Sequence, residues 1–282
     1  MACIARVLAA LTIVSFGTAA ASAQTLTNKP VAPTELPPLP ADAAPPEFVL
    51  ITTNYGEVLL ELDAARAPIS VQNFLAYAKS GFYNDTAFHR VMRNGPTAIV
   101  QGGGYSLDGK LKPTQPPIAN EWTNGLKNVR GTIAMARQPD PNSATSQFFF
   151  NLVDQPLYDI ADQRGGGYCV FGKVRAGLPV LDAISIEKTG AHVTPATAAT
   201  PAQTLPQWPV RACSIVKVEV IPLTDAAIVA ERVKNTQVKD PHAQATRGAT
   251  PVATPVVTPN APPVSAPAAA PAGATPPKKA AP

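Results

Sequence analysis

From about residue 48 the chain runs in short apolar stretches that change period. Phe48-Val49-Leu50-Ile51-Thr52-Thr53 and Glu57-Val58-Leu59-Leu60-Glu61-Leu62 flank Asn54-Tyr55-Gly56. Two apolar runs around an Asn/Gly turn predict a β-hairpin, with Val58, Leu60 and Leu62 sharing one face. At Pro68 the period becomes helical: Val71, Phe74, Leu75 and Ala78 recur at i, i+3, i+4 and i+7. Pro68 suits the first turn of that helix and Gly81 its stop. A second short helix is expected over 178–186, with Val180, Leu181 and Ile184 inward. Ile99-Val100, Thr132–Met135, Phe148-Phe149-Phe150 and Val170-Phe171 read as strands, and Ser214–Val220 closes the series with clean alternation. Many short strands with two helices predict a mainly β domain over 47–222, a closed barrel with capped ends.

Composition divides the rest. The chain carries 32 prolines, and many fall before residue 47 or after residue 240. Residues 24–46 read as a Pro/Ala-rich linker. Residues 223–235 read as a short extension. Residues 236–282, rich in Pro, Ala and Thr, cannot bury enough surface to offset their chain entropy and are expected to be disordered. Arg6, the apolar run Val7–Phe16 and Ala21-Ser22-Ala23 form the pattern of a signal peptide, residues 1–23. Cleavage near Ala23 implies an exported, periplasmic protein. The apolar run is too short for a transmembrane segment.

Charge and chemistry exclude more than they assign. A net charge of +4 without a basic run interleaved with aromatics argues against nucleic acid. His89, His192 and His242 lack ligand spacing, so no metal is expected. The glycine runs 102–104 and 165–167 lack the spacing and lysine of a phosphate loop, so no cofactor is expected either. Cys169 and Cys213 either pair in an oxidising compartment or sit apart as two buried thiols.

One residue type is out of place. Arg90 lies between His89 and Val91 in an apolar strand, where it serves either a structural ion pair or chemistry. Its segment, Phe88-His89-Arg90-Val91-Met92, is the first of five. The others are Ile99-Val100-Gln101-Gly102-Gly103-Gly104, Arg130–Arg137, Ser143–Phe149 and Val170-Phe171-Gly172-Lys173-Val174. In this order and spacing they resemble the cyclophilin-type peptidyl-prolyl cis-trans isomerases, in particular the exported bacterial branch, over about 48–222. The resemblance implies a closed eight-stranded antiparallel β-barrel capped by two α-helices. It also implies a monomer that takes proline-containing polypeptides and assists the folding of exported proteins.

By that resemblance Arg90 is the catalytic arginine, Gln101 positions it, and Phe149 walls the proline pocket. Ala136, Arg137, Gln138 and Gln147 would line the peptide groove. Ala98, Ile99, Leu157, Tyr158 and Tyr168 fall at further pocket positions, and there the chain departs from its relatives. The link between Arg90 and Gln101 is about three residues longer, through Arg93-Asn94-Gly95-Pro96-Thr97. Ala98 stands where the family usually has phenylalanine, and Leu157 where it has tryptophan or phenylalanine. These departures keep a second reading in play: a binding module, or chaperone, that grips proline peptides with little turnover.

Overall fold

The structure is a computed structural model that describes residues 39, 42–94, 97–161, 165–196 and 201–240. The expected signal peptide, most of the linker and all but residues 236–240 of the expected disordered tail lie outside these residues.

The predicted hairpin forms from β1 (Glu47–Thr53) and β2 (Gly56–Leu62), paired from Glu47↔Leu62 to Thr53↔Gly56. Its apolar run is buried on both sides because alternate residues enter different clusters. Val49, Ile51, Val58, Leu60 and Leu62 face the interior, while Phe48, Leu50 and Leu59 face outward under a helix. α1 (Pro68–Lys79) follows, burying Val71, Phe74, Leu75 and Ala78 as its spacing predicts. Then come β3 (Thr86–Ala87), β4 (Arg90–Asn94), β5 (Thr97–Gly102), β6 (Thr132–Met135) and β7 (Phe148–Asn151). β8 (Val170–Ala176) leads through Gly177 into α2 (Leu178–Ser185). Gly177 has φ +90°, and a Cβ there would lie 2.1 Å from the Glu57 carbonyl oxygen, so the turn takes only glycine. β9 (Thr189–Val193), β10 (Thr204–Pro209), β11 (Ser214–Ile221) and α3 (Ala226–Asn235) are the last of the described elements.

The structure departs from or adds to the expectations in three places. The barrel is not a closed ring of eight strands. Nine antiparallel strands form an open, curled sheet in the order β3-β11-β1-β2-β8-β6-β7-β5-β4. The physical reason is that both edges come from one stretch of chain. Thr86–Ala87 pairs with β11, and three residues further on Arg90 begins pairing with β5. Covalent continuity through Phe88-His89 therefore joins the edges where a ladder would otherwise close them. Next, the segment 223–235, expected as a short extension, contains α3, which lays Ala226 and Val233 against Phe48, Leu50 and Leu59. Its stripe Ala226, Val229, Ala230, Val233 has helical spacing, but small side chains make the pattern faint. Among the described residues the α-helices therefore number three. Finally, β9 and β10 form a separate two-stranded sheet that the sequence reading does not include.

Cys169 and Cys213 are free and buried, which decides between the two readings of the cysteines. Burial pushes both thiols up to about 12, so they stay protonated and unreactive. Among the described residues no helix is long and apolar enough to cross a membrane.

Placing a charge under α3 tests its docking. Val233→Asp is expected to lower unfolding stability by about 2–4 kcal/mol, because it buries an unpaired carboxylate against Phe48 and Leu59. Urea titration reads this; an unchanged midpoint would mean that α3 does not cover the sheet.

Candidate active site

The site begins with strand register. In the β4–β5 ladder Arg90 faces Gln101, Val91 faces Val100, and Met92 faces Ile99. Side chains alternate, so Arg90, Met92, Ile99 and Gln101 point to one side, and Val91, Val100 and Ala98 point into the core. β7 lies on the other side of β5 and adds Phe149 opposite Gln101, while Phe148 and Phe150 turn into the core.

On the outward side a chain of amides holds the arginine. Arg90 Nη1 donates to Gln101 Oε1 at 3.4 Å, and Gln101 Nε2 donates to Gln147 Oε1 at 3.0 Å. Arg90 Nε donates to Gln207 Oε1 at 2.7 Å. Arg90 Nη2 lies 3.8 Å from Met92 Sδ. Among the described residues no carboxylate pairs with Arg90, which removes the ion-pair reading. A cavity of about 390 Å³ opens beside the guanidinium, with Gln101, Gln138, Gln147, Leu205 and Pro206 in its walls and no carboxylate or thiol among its lining. Gly104 permits the approach of Gln147, since a Cβ at residue 104 would lie 2.6 Å from Gln147 Nε2. A larger cavity of about 580 Å³, bordered by Pro46, Arg66, Val129 and Lys173, contains none of these groups.

Next to the arginine lies an apolar shelf. Ile99, Ala134, Phe149 and Val170 form a buried cluster, with Met92, Ala136, Tyr158 and Tyr168 packed on it. Tyr158 and Tyr168 stand edge-on to Phe149, at 5.7 and 5.5 Å between ring centroids. Phe149 is only 2% exposed as a result. The 3-10 turn Pro156–Asp159 sets this arrangement: Asp159 Oδ1 accepts from Asn128 N at 2.8 Å, and Tyr168 N donates to the Tyr158 carbonyl at 2.8 Å. Burial raises the Tyr158 hydroxyl, with Tyr168 adding to the effect and Arg90 opposing it. Arg137 ties two loops together, donating to the carbonyls of Gly166, Gly167 and Gln138 while its guanidinium covers the Tyr168 ring at 4.8 Å.

Arg90, Gln101, Gln138 and Gln147 thus surround one cavity, and Ile99, Phe149, Ala136, Tyr158 and Tyr168 meet on the shelf. Two of the sequence-predicted residues lie elsewhere. Ala98 is 5% exposed and sits in the core cluster, because strand alternation turns it away from Ile99. Leu157 is 74% exposed on the 3-10 turn, while its neighbour Tyr158 turns in. Two residues were missed. Met92 was legible, since it lies two positions from Arg90 in a strand and must share its side. Gln207 was not, because it is 117 positions from Arg90 in the chain and Pro206 and Pro209 disguise its strand. Among the described residues no cluster of three or more His, Cys, Asp or Glu could hold a metal.

His89, beside the arginine, is buried under Tyr105 at 4.7 Å between rings. Burial pulls its pKa down to about 4 from the ordinary 6.5, with Arg90 adding to the effect; Ala87 and Gln147 oppose it. Below pH 6.5 the unfolded chain takes up a proton that the folded chain refuses, so stability falls with pH down to about 4. The full loss from this group is roughly 3 kcal/mol. Urea unfolding between pH 7 and 4.5 is expected to show a smaller loss in His89→Phe than in the wild type. Equal losses would mean that His89 titrates alike in both states.

The sequence matches known proteins over the strands that carry this site. Residues 48–220 match the family described as cyclophilin type peptidyl-prolyl cis-trans isomerase/CLD. The chain is 54% identical over 141 residues to peptidyl-prolyl cis-trans isomerase A of Dickeya dadantii, covering 50% of this chain and 72% of that one. It is 47% identical over 145 residues to peptidyl-prolyl cis-trans isomerase B of Escherichia coli, covering 51% and 87%. Among solved structures, the cyclophilin type isomerase of Cryptosporidium parvum aligns over 63% of this chain and 98% of its own, with 26% identity and a TM-score of 0.48. The family match spans more than half of the sequence and contains both strands that carry Arg90 and Gln101, so the chain belongs to the cyclophilin-type peptidyl-prolyl cis-trans isomerases.

Proposed function

We propose that Arg90, Gln101 and Phe149 carry the isomerase activity of this chain, and that its substrates are X–Pro bonds in exported polypeptides folding in the periplasm. The observation that supports this best is a guanidinium held by neutral amides at the edge of an apolar aromatic shelf. An X–Pro bond turns slowly because the nitrogen lone pair conjugates with the carbonyl, giving a barrier of about 18–20 kcal/mol. In the twisted state conjugation is lost, the nitrogen becomes pyramidal, and its lone pair accepts a hydrogen bond. Arginine has five N–H donors. Nε and one Nη1 hydrogen point to the two glutamines and Nη2 lies near Met92, which leaves two donors for the prolyl group. Shortening the exchange by about five decades takes roughly 7 kcal/mol, and no proton transfer or covalent step is required.

The shelf of Met92, Ile99 and Phe149 would receive the prolyl ring, with Tyr158 and Tyr168 at its border. Gln138, Gln147, Ala136 and Arg137 would follow the peptide on the side of the cavity. Leu157 and Ala98 would bear less directly on the ring. The proposed export rests on the residues 1–23 pattern. Sequencing the N-terminus of protein recovered from the periplasm is expected to begin at Gln24; intact Met1 on cytoplasmic protein would reject it.

The second reading, a proline-peptide binder with little turnover, is favoured by one feature: Phe149 is nearly covered by the two tyrosines. Isomerisation of a proline peptide by the chain lacking residues 1–23 separates the two. Arg90→Ala is expected to lower kcat/KM at least tenfold, about 1.4 kcal/mol of transition-state stabilisation, with the fold intact. Arg90→Lys should recover little, since an ammonium lacks the planar fork. Phe149→Ala should lower both activity and stability, the latter by about 3–5 kcal/mol, because it opens a cavity beneath Tyr158 and Tyr168. Full activity in Arg90→Ala would reject the catalytic assignment. Binding without turnover in the wild type would favour the second reading.

A further inference from the structure

β10 reaches Arg90 from outside the nine-stranded sheet. We propose that Gln207 is a positioning residue for the isomerisation: it holds the arginine by Nε and so directs the Nη edge toward the bound proline. This rests on Arg90 being the catalytic arginine.

Three observations converge. The Nε bond to Gln207 Oε1, at 2.7 Å, is the shorter of the two that hold the guanidinium; the Nη1 bond to Gln101 is 3.4 Å, near the limit of a useful hydrogen bond. Gln101 alone would leave a long, rotamer-rich side chain loosely held. Next, the β9–β10 ladder is irregular at this point. Leu205 faces His192 and Trp208 faces Gly190, so three steps on β10 answer two on β9. The extra residue falls at Pro206-Gln207. A bulge of this kind re-aims a side chain out of strand alternation, and Pro206, which has no N–H, loses no donor where the ladder breaks. Lastly, the bulge is anchored. Trp208 stacks on His192 at 4.2 Å and 20° and stands edge-on to Tyr105 at 6.1 Å and 81°. The hairpin is thereby fixed to the wall that carries His89 and Arg90.

An amide suits this task. Its oxygen accepts from Nε and fixes the plane of the guanidinium, while its neutrality leaves the positive charge available to the substrate. A carboxylate at 207 would orient the arginine equally well but pair with it.

The test is a double-mutant cycle on the chain lacking residues 1–23, with kcat and KM measured separately on a proline peptide. Gln207→Met keeps the length and bulk of the side chain and removes the acceptor. It is expected to lower kcat about fivefold to twentyfold and to leave KM within about twofold. In an Arg90→Ala background the same change should alter the rate less than about twofold, because the group it positions is gone. NMR supplies an independent readout: the Arg90 Nε–H signal, identified by its loss in Arg90→Lys, should be protected from solvent exchange in the wild type and lose that protection in Gln207→Met. If Gln207→Met lowers the melting temperature by more than about 5 °C, kcat is read from Gln207→Asn, which keeps the amide but is one methylene too short to reach. Full kcat in the Gln207 variant, or equal losses in both backgrounds, would overturn the positioning role while leaving Arg90 catalytic. Full activity in Arg90→Ala would overturn the site assignment and this inference together.

Discussion

The pairing of Arg90 with Gln101 across the β4–β5 ladder is the constraint on which the site depends. It sets which residues share a side. A slip of one residue would turn Arg90, Met92, Ile99 and Gln101 into the core and bring Val91, Val100 and Ala98 out, exchanging the whole shelf for small apolar groups. The register is protected because β5 is itself clamped to β7 through Val100↔Phe150 and Gln101↔Phe149, and Phe148 and Phe150 are fully buried. β4 has no such second ladder. It is the last strand of its sheet, and its free side is the one that β10 approaches with Gln207. The arginine is thus carried by an edge strand that is secured by a separate hairpin.

The longer link between Arg90 and Gln101 acquires a different meaning in this frame. Aligned against relatives, it places Ala98 at a pocket position and suggests a widened pocket. In the structure Arg93, Asn94 and Thr97 continue the two strands, so alternation persists as far as Asn94↔Thr97. Ala98 then belongs to the interior. Met92, not Ala98, packs on the cluster around Phe149. Methionine is flexible and polarizable, and fills such an irregular gap readily. Tyr158 occupies the remaining space at the other end, which accounts for the near-complete cover over Phe149. The shelf is rebuilt from new positions rather than left open.

Much of this was legible from sequence, for reasons that differ by element. The β1–β2 hairpin, α1, α2 and the strands of the Phe148–Phe150 and Ser214–Val220 runs declare themselves through local period, because each buries a whole face. α3 was overlooked because alanine marks half of its buried stripe. The open sheet was overlooked because closure by chain continuity and closure by a ladder produce the same strand pattern. At the site, Arg90, Gln101 and Phe149 carry motif and period together. The misplacing of Ala98 has a different origin: an insertion in a strand shifts alignment by residues, whereas side-chain direction shifts by parity. Gln207 left no local sign at all, since its role follows from a bulge and from contact with a strand more than a hundred positions away.

The electrostatics of the site explain why its neighbours are amides. Arg90 is exposed, and an arginine paired with a carboxylate is nearly neutral as seen by a third group. Here Gln101 and Gln207 accept from the guanidinium, Gln147 accepts from Gln101, and His89, held neutral by burial, adds no competing cation. The guanidinium is therefore oriented without being neutralised. That condition matters for a reaction whose transition state differs from its ground state mainly in the availability of one nitrogen lone pair. A donor already committed to a carboxylate would have to give up an ion pair to reach that nitrogen, whereas one held by amides keeps spare N–H groups and its full charge. A guanidinium preorganised by such dipoles would stabilise a developing acceptor without reorganising at the moment of reaction. In the proposed reaction the low-polarity shelf of Ile99, Phe149 and Val170 would strengthen the same interaction by excluding water from one side of it.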